Sequence, residues 1–199
     1  MNDDGTLPPV ARLAQPRRGH FDLGTGYHGD LWLDLDALFL RPARLRPYVQ
    51  WVSARLDAHQ IDAVCGPLEG GAFLALAVAD VLDAAFVPAG RDPGPGPGPS
   101  GYRLPPGMEP RVTGWRVAIV DDAINAGTAV TACFSLLRQG GAVPVAAGAL
   151  LALGQGAATI EATMSVPCYA AATLPSQVWP AADCPLCLTR IPLDTPPGP

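Results

Sequence analysis

Val117-Ala118-Ile119-Val120-Asp121-Asp122-Ala123-Ile124-Asn125-Ala126-Gly127-Thr128-Ala129-Val130 carries the reading of the whole chain. Four consecutive apolar residues, three of them β-branched, predict a strand buried on both faces, the pattern of a parallel sheet. Two adjacent carboxylates stand at its carboxyl end, the edge at which open parallel sheets bind ligands. A loop of small residues follows, and a helix is predicted from Thr128 to Gln139, closed by Gly140-Gly141. The unpaired N–H groups at a helix start favour an anion, a phosphate above all. Gly127 lets the backbone come close, and Thr128 offers a helix cap and a hydroxyl donor. Carboxylates would repel a phosphate directly, so Asp121 and Asp122 are assigned to sugar hydroxyls. The stretch reads as a socket for ribose 5-phosphate. An ordinary strand–turn–helix with an Asp cap is the plainer reading, and the second Asp argues against it.

The same alternation extends outward. Ile61–Cys65 is a short apolar strand ending in Gly66-Pro67-Leu68-Glu69-Gly70-Gly71. The nearly all-apolar run 72–82 predicts a helix buried against a sheet. Ala85-Phe86-Val87 and a segment within 143–153 predict further strands. Pro42 opens a helix near 42–59, with Leu45, Val49, Val52 and Leu56 on one face. Strands alternating with helices imply right-handed crossovers, hence an α/β fold with a central parallel sheet flanked by helices. Residues 20–36 read as extended segments around a turn at Gly24-Thr25-Gly26. Three regions follow: a loose Pro-rich arm over 1–18, a main domain over 19–174, and a Pro-rich tail over 175–199. Within the domain, 90–114 reads as a mobile loop, because Pro93-Gly94-Pro95-Gly96-Pro97-Gly98-Pro99 cannot continue a helix or central strand. An interdomain linker is the alternative.

Composition narrows the function. The chain has 199 residues, 49% hydrophobic and 16% charged, enough apolar material for a core. Its net charge of −5 argues against a globally basic nucleic-acid binder. All 13 basic residues are Arg, which excludes any mechanism needing a lysine, including a Walker loop or a Schiff base. No apolar run approaches a membrane span, and Met1-Asn2-Asp3-Asp4 lacks the layout of a secretion signal. The five cysteines are therefore expected as thiols and the compartment as the cytoplasm.

The acidic pair with its small loop resembles the diphosphate-sugar signature of the type I phosphoribosyltransferases. Asp121-Asp122-Ala123-Ile124-Asn125-Ala126-Gly127-Thr128-Ala129 most resembles the orotate enzymes, with Asn125 where Thr is usual there. His20-Phe21-Asp22-Leu23-Gly24-Thr25-Gly26 through Leu31-Trp32-Leu33-Asp34 resembles their base-binding segment, and Gly66–Ala72 resembles their pyrophosphate loop. The similarity spans about residues 19–153, and the tail is similar to that of a bacterial subgroup ending in Cys-Pro-Leu-Cys. The resemblance implies a small N-terminal hood over the sheet. It implies transfer of 5-phosphoribosyl from its 1-diphosphate to a pyrimidine, orotate first, with Mg²⁺ and release of pyrophosphate. Asp121 and Asp122 would hold the ribose hydroxyls. Ile124, Asn125, Ala126, Gly127, Thr128 and Ala129 would hold the 5-phosphate. Gly66, Pro67, Leu68, Glu69, Gly70 and Gly71 would hold the pyrophosphate and its metal. Thr25, Trp32 and Leu33 belong to the base segment. A homodimer is implied, with the mobile loop reaching the partner's site.

The orotate enzymes usually carry lysines in the base segment, the pyrophosphate loop and the mobile loop. Here Gly24 and Gly70 stand near the first two, and the third has no Lys to draw on. Arginines are the available substitutes. Arg91 follows a strand where an Arg is usual, Arg103 is assigned as the loop cation, and Arg111 lies just beyond. Arg clamps phosphate bidentately but is a poor proton donor. The losses leave a second hypothesis: a non-catalytic protein of the same fold that binds the phosphoribosyl diphosphate and regulates a partner. Transfer to another base is a third.

Other signals carry less. Gly24–Gly29 matches G-x-G-x-x-G but lacks the strand before and the helix after. Cys184 and Cys187 are half of a zinc-ligand set without a second pair in sequence, read as a reduced pair or as a site completed across a dimer. Cys65, Cys133 and Cys168 read as core. His20, His28 and His59 show no metal-ligand spacing; His28 reads as a surface turn residue and His59 as a helix end. Asp34 and Asp36 share a predicted strand face without a second carboxylate set.

Overall fold

The computed structural model describes residues 7–24, 26–92 and 101–196. Thr25 and the run 93–100 lie outside them. In chain order the elements are α1 (Pro9–Leu13), β1 (Arg17–Asp22), β2 (Tyr27–Trp32), α2 (Asp36–Phe39), α3 (Pro42–Leu56), β3 (Ala63–Pro67) and α4 (Ala72–Leu82). Then come β4 (Ala85–Arg91), β5 (Tyr102–Arg103), α5 (Glu109–Val112), β6 (Arg116–Ile124), α6 (Thr128–Gln139) and β7 (Val143–Leu153). The chain closes with α7 (Gly156–Met164), β8 (Cys168–Leu174), β9 (Val178–Pro180) and α8 (Pro185–Leu188).

The main sheet has the order β5-β4-β3-β6-β7-β8. All neighbours are parallel except the edge strand β5, which runs antiparallel to β4. The strands read as continuous apolar runs because helices cover both faces. On one face α1, α3 and α4 pack Val10, Leu45, Val52, Leu56, Leu74 and Val78 against Val64, Val120 and Leu150. On the other, α6 and α7 pack Val130, Cys133, Leu137 and Ile160 against Cys65, Val117 and Ile119. The expected α/β sheet is the one observed. A second sheet, β1-β2-β9, is antiparallel and forms the hood.

Three expectations change. The arm over 1–18 is not loose throughout: Val10, Ala11 and Ala14 are at most 1% exposed, because α1 fills a gap in the core that its Pro-rich surroundings conceal. Residues 101–114 are not a structureless loop. Tyr102 and Arg103 pair with β4, and Leu104 and Val112 are buried. The tail from 175 donates β9 to the hood rather than trailing from the domain. No helix among the described residues is long and apolar enough to cross a membrane.

Candidate active site

β3 and β6 are neighbours whose crossovers leave in opposite directions: α4 leads outward to β4 on one face, α6 to β7 on the other. Such a switch point opens a crevice at the carboxyl ends of the strands. The loop 68–71 after β3 and the loop 125–127 after β6 flank it.

β6 extends to Ile124, so both carboxylates are part of the strand and only 6% exposed. The Asp122 backbone N–H donates to Asp121 Oδ1 at 3.0 Å, and the Ala123 N–H donates to Asp122 Oδ1 at 2.6 Å. Gly70 and Gly71 lie directly against the pair. A Cβ at Gly71 would meet Val120 O at 2.4 Å and Asp121 Cα at 2.5 Å; one at Gly70 would meet Asp121 Oδ1 at 3.3 Å. Glycine is thus required for the two loops to close on each other. Burial, reinforced by the neighbouring Asp122 charge, pushes Asp121 up to about 8. Burial also raises Asp122, although the Ala123 amide opposes the shift.

This burial has a testable pH signature. An unfolded Asp titrates near ~4, far below folded Asp121, so the folded chain holds the extra proton between these values. Stability is then fully present below the lower value and declines as pH rises towards the upper one. Asp121→Asn removes that decline. The melting temperature of the variant minus that of the original chain should grow from pH 5 to pH 8. A difference that is flat or shrinking would contradict a desolvated carboxyl.

Gly127 caps α6 in the left-handed region at φ 73°, where its Cβ would strike Ile160 Cδ1 at 2.5 Å. Gly127, not Thr128, is therefore the cap; Thr128 is the first helical residue and exposed. The carbonyl of Gly127 accepts from the Thr131 N–H at 2.9 Å and from its hydroxyl at 2.8 Å, leaving the first α6 amides free of helical partners. Asn125 and Ala126 are exposed, Ala129 is half-buried, and Ile124 is core, 1% exposed. Gly156, at the start of α7, supports the loop from behind, since a Cβ there would meet Ile124 O at 2.4 Å.

A cleft of about 740 Å³ gathers the expected segments: Trp32 and Leu33 from the hood, Leu68, Glu69 and Gly70 from the β3 loop, and Asp122 from β6. Gly66 and Pro67 are buried in β3 and contribute backbone at most. Arg91 forms an ion pair with Glu69 beside the cleft, and its guanidinium lies 5.9 Å from the Tyr102 ring. Arg103 is exposed on β5 opposite Gly90, outside the ion pairs among the described residues. Arg111 is exposed on α5. Five cleft residues lie outside the set the sequence singles out for the site: Asp34, Leu35, Asp36, Phe39 and Phe73. Asp34 and Asp36 lie beyond the end of β2, not on a strand face; Asp34 accepts from the Ala37 N–H at 3.0 Å. Phe39 and Phe73 line the wall with rings 5.5 Å apart, and Phe73 is 67% exposed. The sequence holds no local signal for this wall, which forms only where α2 meets the start of α4.

The remaining singled-out residues resolve as follows. Cys65 and Cys133 are fully buried, and burial pushes Cys168 up to about 12, as suits core thiols. His59 contacts the Tyr169 hydroxyl at 3.0 Å. His28 is not a surface residue: it is 9% exposed, in contact with His20.

No family model matches the chain. It is similar to the orotate phosphoribosyltransferase of Thermoanaerobacter sp. (strain X514), 27% identical over 196 residues that span 98% of this chain and 97% of that protein. It is 29% identical over 178 residues to the orotate phosphoribosyltransferase of Thermotoga maritima, spanning 89% of each. Among solved structures it resembles orotate phosphoribosyltransferase from Aeropyrum pernix, with a TM-score of 0.64 and 25% identity over 80% of this chain and 88% of that one. It also shares its fold with adenine phosphoribosyltransferase from Thermoanaerobacter pseudethanolicus, with a TM-score of 0.66 and 18% identity over 85% of this chain and all of that one.

Proposed function

We propose that this chain, which shares fold and sequence with the type I phosphoribosyltransferases, is a pentosyltransferase. It would transfer 5-phosphoribosyl from its 1-diphosphate to a pyrimidine base, orotate first among the candidates. One observation carries the reading: a single cleft joins the hood segment, the glycine loop and Asp122 of the acid pair. Asp121 and Asp122 hydrogen-bond the ribose hydroxyls, and the negative charge of the ionised member of the pair opposes the positive charge that grows on the sugar as pyrophosphate departs. The free amides of α6 and the 125–128 loop hold the 5-phosphate. Loop 68–71 holds the departing diphosphate, and Trp32 and Leu33 bound the base. Rate comes chiefly from alignment of the three parts. The oxygen donors Glu69 and Asp122, facing one cleft, suit a hard cation such as Mg²⁺. When bound, Mg²⁺ offsets charge on the diphosphate. The proposal includes a homodimer in the cytoplasm, a compartment that suits the five free thiols.

A second reading, a non-catalytic binder of the same sugar diphosphate, draws on the ion pair between Arg91 and Glu69, which occupies the cation nearest the glycine loop. Ultraviolet absorbance of orotate with the sugar diphosphate and Mg²⁺ separates the two. Transfer predicts orotate loss matched by pyrophosphate release, unaffected by Arg138→Ala at the far end of α6. Absence of turnover with orotate, uracil, adenine or any other base, despite binding of the sugar, would leave the binder. A different base consumed in place of orotate would correct the acceptor alone.

A further inference from the structure

Outside the candidate active site, three separate parts of the chain bring four metal-ligating side chains together. His20 stands on β1, His28 on β2, and Cys184 and Cys187 bracket the first turn of α8. Their donor atoms all lie within 4.8 Å of one another. We propose that His20, His28, Cys184 and Cys187 form a tetrahedral Zn²⁺ site that staples the C-terminal segment onto the hood.

The distances fit a metal better than a set of mutual hydrogen bonds. His20 Nε2 lies 3.1 Å from His28 Nδ1, 3.4 Å from Cys184 Sγ and 3.7 Å from Cys187 Sγ. His28 Nδ1 lies 3.3 Å from Cys187 Sγ. Zinc bonds of about 2.0–2.1 Å to nitrogen and 2.3 Å to sulfur set ligand separations of roughly 3.3–3.8 Å in a tetrahedron. One ring nitrogen cannot satisfy three such neighbours by hydrogen bonding, whereas a shared cation draws all four atoms inward. The other nitrogen of His20 is 2.9 Å from the Ile191 carbonyl. Donation from Nδ1 to that carbonyl leaves the Nε2 lone pair aimed at the cluster, the way zinc-bound histidines are commonly oriented.

Burial and charge agree. Cys184 is fully buried, His20 is 3% and His28 9% exposed, and Cys187 closes the site on its solvent side. Two thiolates cancel the charge of one Zn²⁺, so the centre can sit away from water. Four protein ligands leave no open position, the mark of a structural site, and two sulfurs with two nitrogens select zinc over harder cations. The segment around α8 buries little apolar surface of its own. Leu188 is 80% exposed, and Ile191 and Leu193 are each more than 40% exposed. It is otherwise held at its two ends, by the β9 ladder and the Ala181–Gly26 hydrogen bond before α8 and by the Arg17–Asp194 ion pair and backbone hydrogen bonds of Asp194 with His20 and Asp22 after it. A metal supplies the cohesion that a small apolar core would. None of the four ligands lines the active-site cleft, but β2 runs from His28 to Trp32, which does.

Cysteine arithmetic missed the site because only half of it is a pair in sequence. The histidines come from a hairpin more than 150 residues away, as the 164-residue separation of His20 and Cys184 shows.

The test uses the full chain purified without chelators. Elemental analysis should find one zinc per chain, retained in Cys168→Ala and lost in Cys187→Ser and His28→Ala. Because loss of the site can also unfold those variants, the original chain carries an independent readout. Stripped of metal and titrated with Co²⁺, it should saturate at one equivalent with the intense visible bands of tetrahedral cobalt and a thiolate charge-transfer band. Metal removal should also lower the melting temperature by roughly 5–15 °C, reversed by added zinc. A chain isolated under reducing conditions without metal, a weak octahedral cobalt spectrum, or a Cys184–Cys187 disulfide by mass spectrometry would each overturn the proposal.

Discussion

Asp121→Asn and Asp122→Asn should each lower kcat/KM for phosphoribosyl transfer by about 10²–10³-fold, the scale of losing one preorganised electrostatic partner. The loss should fall on kcat as well as KM, because the carboxylates meet more positive charge in the transition state than in the bound substrate. Unfolding will not explain it. Burial raises both carboxyls, so the neutral amides relieve a cost and the variants should melt no lower than the original chain above pH 7. The combination of lost turnover and preserved or increased stability separates a functional acid pair from a structural one. Steady-state rates and thermal melts on the same preparations check it; a change below threefold in kcat/KM would remove these residues from the chemistry.

Gly71→Ala should do comparable damage by a different route. At φ −68° the position suits any residue, so no backbone strain enters. The added Cβ meets backbone atoms of Val120 and Asp121 at 2.4 and 2.5 Å, and backbone cannot rotate aside as a side chain can. The β3 loop must lift from the acid pair. We expect a stability loss of about 1–3 kcal/mol, the usual cost of overpacking, and at least a hundredfold loss of activity as the diphosphate loop moves. Gly140→Ala is the matched control. Its backbone is equally ordinary and its nearest neighbour would be 3.5 Å away, so activity and melting temperature should hold. Equal tolerance at both positions would mean that the two loops do not close on each other as described.

How much of this was legible in the sequence follows the physics of each element. The helices over 72–82 and 128–139 match the structure residue for residue. Both begin after a glycine and the second also ends at one, and one is apolar almost all round, the other apolar on one face. The central strands announced themselves as short β-branched runs, since both faces are covered. What escaped was structure made by tertiary contact. Pro9–Leu13 is too short and Pro-flanked to signal a helix, yet its Val10 completes the core. Gly156–Met164 opens on glycine, carries the β-branched Thr159, Ile160 and Thr163, and has no side-chain cap to announce it; it is held by packing Ile160 beneath the phosphate loop. Tyr102-Arg103 is strand only because β4 offers an edge. The acid pair was visible because adjacent carboxylates at the end of an apolar strand are costly without a use. The cleft wall of Phe39 and Phe73, and the meeting of His20 and His28 with the cysteines, depend on segments distant in sequence, which periodicity does not register.

Calorimetric titration of the chain with 5-phosphoribosyl 1-diphosphate in Mg²⁺ bears most directly on the claim that the acid pair and the loop behind it grip a phosphorylated pentose. The account predicts one site per chain, competed by ribose 5-phosphate and lost when Asp121 and Asp122 are both changed to Asn. No binding, or binding undiminished in the double variant, would contradict it.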